Sequence, residues 1–166
     1  MLGRIGGRRQ RGMRGFTLVE MLVVLTLLAL LASVAMPLND LVKRRAKETE
    51  LKQALTSIRG AIDAYRAATA DGQIEVAVNK SGYPPDLRVL VEGATDQREA
   101  DGKKIYFLRK LPADPMCDCP GKSAEETWQT RSYASSPDSF SSGDDVYDVR
   151  SSNKKEGING IPYNEW

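Results

Sequence analysis

The chain contains no histidine in 166 residues. That removes the commonest general base and the commonest imidazole metal ligand together. Ser141, Ser142, Ser151 and Ser152 therefore lack the partner that would turn a hydroxyl into a nucleophile. Adjacent carboxylates such as Asp144 and Asp145 read as a solvated loop, so the expected role is not enzymatic. Cysteine is scarce as well, with only Cys117 and Cys119 present, one residue apart. Two thiols supply at most half a zinc site. Residues i and i+2 can reach each other for a disulfide, which leaves a local bond or two free thiols. So small a loop would add little entropic stability. Acid is missing from residues 1–15, which hold Arg4, Arg8, Arg9, Arg11 and Arg14. The remaining chain carries 19 basic against 22 acidic residues, a net −3, although the whole is +2. A basic tail on an acidic body offers no electrostatic footprint for nucleic acid.

What the chain has is one long apolar run. From Phe16 to Met36 it is 21 residues, apolar apart from Thr17, Glu20, Thr26 and Ser33. As a helix it reaches roughly 31 Å, enough for a bilayer core of about 30 Å. The arginines before it would hold its start in the cytoplasm and send the rest across. Glu20 is the anomaly, because a carboxylate in such a span costs roughly 2.5–3.5 kcal/mol on insertion scales. Either it snorkels to the headgroups or it meets a positive partner within the membrane.

Pro37 predicts a kink or break, after which the helical pattern resumes. "KRRAKETE" at 43–50 is charged all round and suits a membrane surface. Leu51, Leu55, Ile58, Ile62 and Tyr65 are spaced by 4, 3, 4 and 3 and line one face. Asp71-Gly72 is a stop signal. Beyond it, a short helix is expected near Asp86, with strands in "KKIYFLRK", "TRSYAS" and "DVYDVR". The expected fold is α+β: a long N-terminal helix, half transmembrane and half amphipathic, packed on a small three-stranded antiparallel sheet. The divisions are a basic leader at 1–15, a span at 16–37, the amphipathic half at 38–72 and a globular region at 73–166.

Gly-Phe-Thr-Leu-Val-Glu at 15–20, behind a basic leader and ahead of the apolar run, resembles the class III signal of the type IV pilin superfamily. "AIDAYRAATADG", "GYPPDLRVLVEG", "YFLRKLPADP" and the terminal "NEW" are similar to segments of major pseudopilins, the protein G type of type II secretion. The resemblance implies cleavage after Gly15 by a prepilin peptidase and methylation of the new N-terminus, Phe16. It also implies a structural subunit of a periplasmic pseudopilus anchored in the inner membrane, its N-terminus cytoplasmic. Partners would be further copies of itself, minor pseudopilins, an inner-membrane assembly platform and membrane lipid. A cytoplasmic ATPase would supply the energy. The alternative within the superfamily is a type IV pilus subunit for adhesion, motility or conduction. Physics gives Glu20 a role in either filament. The freed amine of Phe16 is positive at neutral pH and could pair with Glu20 of an axially shifted neighbour, each offsetting the other's desolvation.

Two other classes compete. "SVA" at 33–35 offers a conventional signal-peptidase site before Met36, although the apolar run is long for that purpose. A tethered periplasmic enzyme lacks its chemistry, as above. The resemblance also implies a calcium ion in a C-terminal loop, here "DVRSSNKKEGINGIPY". Where the family has aspartates this chain offers Asn153 and Asn159, with Lys154 and Lys155 between them. Calcium wants six to eight oxygens, with affinity rising with ligand charge. The expectation is therefore weak or absent binding, with Asp144, Asp145, Asp148 and Asn153 as the weak candidates. The loop would be held instead by apolar contacts from Ile158, Ile161, Tyr163 and Trp166.

Overall fold

The computed structural model describes residues 15–99, 101–136 and 138–166, with no side-chain account at 34–38. Most of the leader thus lies outside the described residues. Helix α1, Leu18–Ala70, is 53 residues long. Its start follows from local chemistry. Thr17 stands just ahead of the first turn, and its Oγ1 accepts the Glu20 N–H at 3.2 Å. That is the Thr-x-x-Glu spacing of a capping box. The helix runs through Pro37 without the expected break. Proline removes one helical hydrogen bond, and the bonds on either side are enough to continue the helix.

The chain divides into two compact units, one ending at Val42 and one running Lys43–Trp166. In the second unit the core is organised by α1. Leu51, Leu55, Ile58, Ile62 and Tyr65 are all buried, with Ala54, Ala61 and Ala68 filling the same face. Each large side chain so buried contributes roughly 1.5–3 kcal/mol relative to exposure. Against this face lie Leu87, Leu90, Leu111, Trp128, Val149 and Tyr163. Helix α2, Val89–Glu92, is a single turn, begun by the Asp86 Oδ1 accepting the Val89 N–H at 3.0 Å.

The strands differ from expectation. Among the described residues they form two two-stranded antiparallel sheets rather than one sheet of three strands. In the first, β1 (Ala94–Thr95) pairs with β2 (Lys104–Ile105). In the second, β3 (Trp128–Arg131) pairs with β4 (Asp148–Ser151) in the register Trp128 to Ser151 and Arg131 to Asp148. What separates the sheets is the chain after Ile105. The Phe107 and Leu108 amides turn to the Leu90 carbonyl, at 3.0 and 2.8 Å, instead of continuing a ladder. Gly93 permits the turn into β1. Its φ is +82°, and a Cβ there would come within 3.0 Å of the Ile105 carbonyl and the Tyr106 ring.

Candidate functional site

Two places carry the chemistry that the sequence singles out. The first is the start of α1. Gly15 is exposed, and among the described residues nothing lies within 4 Å of where a Cβ would stand. Glu20 lies in the first turn, where a carboxylate interacts favourably with the helix dipole. Every side chain from Gly15 to Ser33 is exposed, including Phe16 at 72% and Leu31 at 68%. A contiguous apolar surface of this length marks contact with a membrane or with other chains. Among the described residues no helix is long and apolar enough to cross a membrane. The apolar run itself extends past Ser33 into positions whose side chains are not described. The capping role of Thr17 goes beyond the residues expected from the sequence, although its spacing to Glu20 is a readable signal.

The second place is the C-terminal loop with the strands around it. The four calcium candidates do not converge; each has other partners. Asp144 Oδ2 meets the Lys80 ammonium at 3.0 Å on the open surface. Asp145 accepts from the Ser81 hydroxyl, from the Ser132 hydroxyl at 2.8 Å and from the Tyr133 amide at 2.8 Å. Burial pushes the Asp145 pKa up, but these hydrogen bonds, with Lys80 nearby, outweigh it and hold the carboxyl below the usual aspartate value. Asp148 Oδ1 takes the Arg59 Nε at 2.8 Å. The Asn153 Oδ1 accepts the Lys155 amide at 2.9 Å, and its Nδ2 donates to the Met116 carbonyl at 2.8 Å. Among the described residues no three His, Cys, Asp or Glu side chains form a group that could hold a metal ion. The residues present do not fit a calcium site as they stand.

The loop is also not held by the apolar set expected. Ile158 and Ile161 are exposed, at 40% and 46%, and only Tyr163 enters the core, with Trp166 partly buried against it. Glu48 does the larger share. Its Oε1 accepts the Ile158 amide at 2.8 Å and the Tyr163 hydroxyl at 2.7 Å. Burial raises the Tyr163 pKa; the Arg44 hydrogen bond opposes this and Glu48 reinforces it, for a net rise. The phenol thus stays a donor at neutral pH. Arg44 donates to the Tyr163 hydroxyl at 3.0 Å and to the Glu156 carbonyl. Gly157 lets the loop close, since a Cβ there would meet the Trp166 ring at 2.6 Å. Cys117 and Cys119 are bonded to each other, with Cα atoms 5.3 Å apart.

An apolar helix that begins at a Gly-Phe-Thr-Leu-Val-Glu motif and continues into the core of an α+β unit defines a pilin-like protein. The model of the prokaryotic N-terminal methylation motif matches residues 8–36. The type II secretion system core protein G of Pseudomonas aeruginosa is 31% identical over 112 residues, 65% of this chain and 70% of the relative. That of Klebsiella pneumoniae is 30% identical over 61% of this chain and 68% of its own length. That of Klebsiella michiganensis is 28% identical over 64% and 70%. No solved structure matches significantly. The chain belongs to the type II secretion system core protein G family.

Proposed function

We propose that this chain is the repeating structural subunit, the major pseudopilin, of a periplasmic pseudopilus that supports type II protein secretion. The observation that carries this is the methylation motif at the head of an exposed apolar helix, in a chain similar to core protein G over most of its length. The family favours the secretion filament over the type IV pilus. In this reading the bond after Gly15 is cut by a prepilin peptidase and Phe16 becomes the methylated N-terminus. Residues 16–37 anchor the subunit in the inner membrane, and the unit beyond Val42 stands in the periplasm. Further copies, minor pseudopilins and the assembly platform are its partners. Its contribution is mechanical, since growth of the filament does the work and the chain performs no reaction.

Glu20 is the assembly residue. In a single chain it is exposed, whereas among packed apolar helices an unpaired carboxylate would cost several kcal/mol. The amine of Phe16 on an adjacent copy would relieve that cost. The test is complementation of a deletion strain. Wild type should restore release of exoproteins to the medium and, when overproduced, yield filaments removable by shearing. Glu20→Ala should be cleaved and membrane-inserted but restore neither. Restored surface motility with no change in secretion would assign the chain to a pilus instead. Full filament yield from Glu20→Ala would make the carboxylate merely tolerated.

A further inference from the structure

Two arginines of α1 bond oxygens of the C-terminal region. Arg59 brings three oxygens from two segments onto one guanidinium. Its Nε donates to Asp148 Oδ1 at 2.8 Å, and one terminal nitrogen donates to the Val149 carbonyl at 3.1 Å and the Trp166 carbonyl at 3.0 Å. A carboxylate with two backbone carbonyls is the donor set a hard divalent cation would seek. Here a planar, permanently charged group with fixed donors takes it. About four helical turns toward the N-terminus, Arg44 bonds the Glu156 carbonyl and the Tyr163 hydroxyl. Glu48, four residues on and within 3.6 Å of Arg44, accepts the Ile158 amide and the Tyr163 hydroxyl. Both ends of the loop are therefore fastened to α1 by charged side chains, at sequence separations of 89 to 119 residues.

We infer that this chain has replaced a calcium-held C-terminal loop by an arginine-held one, with Arg59 and Arg44 as resident cations and Glu48 as the counter-anchor, so that its fold is independent of divalent metal. The donor chemistry supports this directly. Asp148 is engaged by Arg59, and Asn153 and Asn159 are engaged in closing turns onto the Lys155 and Ile161 amides. Among the described residues no three His, Cys, Asp or Glu side chains gather there as a group that could hold a metal ion. The loop's own Lys154 and Lys155 further disfavour a second cation there.

The experiment is thermal unfolding of the full mature chain in detergent, with excess calcium chloride or with a calcium chelator, followed by tryptophan fluorescence. Wild type should melt at the same temperature in both. Arg59→Gln and Arg44→Gln should each lower the midpoint by roughly 5 °C, by the same amount in calcium and in chelator. A calcium-dependent rise of many degrees in wild type would overturn the inference, as would an unchanged midpoint in both variants. If Arg59→Gln does not fold, the wild-type comparison and Arg44→Gln still decide the matter.

Discussion

Among the described residues Gly15 has no neighbour for a side chain to strike, so enlarging it leaves their packing untouched. Under the proposed reading, Gly15→Val acts on recognition by a prepilin peptidase. The expected outcome is a membrane-bound precursor of full length, seen as a slower band on immunoblots, while wild type gives a methylated Phe16 by N-terminal mass spectrometry. A wild-type chain beginning at Met36 would reject the pilin-type signal. Asp145 supports a second prediction at this scale. Its folded pKa lies below the ordinary aspartate value. Its stabilising contribution is therefore full above about pH 4 and is lost as pH falls through the lowered pKa. Asp145→Asn should lower the melting temperature at pH 7 and cost progressively less as the pH drops below 4. A penalty that grows on acidification would show that the three hydrogen bonds do not favour the charged form.

Along α1 the buried stripe decides stability. Ile58 has no exposed surface, and Ile58→Ala should cost about 2–5 kcal/mol, measured by urea unfolding. A loss below 1 kcal/mol would mean that the face collapses to fill the gap. This stripe was legible in the sequence because periodicity needs only neighbours three and four residues apart. The same is true of the Gly15–Glu20 motif and the stop at Gly72. The sheets were less legible. β1 is two residues long, and its place is set by the turn at Gly93 and by Phe107 and Leu108 leaving for α2. No local pattern announces that departure. Arg44 and Glu48 lay in a stretch that reads as uniformly charged surface. Their partners are more than 100 residues away, so a local reading could not separate them from Lys43 or Lys47.

At the scale of the whole molecule, the two units carry different kinds of surface. From Leu18 to Ser33 α1 leaves its apolar side chains uncovered, while the unit beyond Val42 buries its own core. That division suits a subunit whose interfaces are made by the helix and whose body folds alone. The cysteine pair adds a practical consequence. A disulfide between Cys117 and Cys119 persists only where the surroundings are oxidising. It is thus a native marker of which side of the membrane the body occupies, with no reporter fusion required. Cells quenched in acid and treated with a maleimide-linked polymer should give an unshifted band for the exported subunit. Chains caught before translocation should shift by two polymer lengths, and the ratio of the two bands would read out export in a living culture.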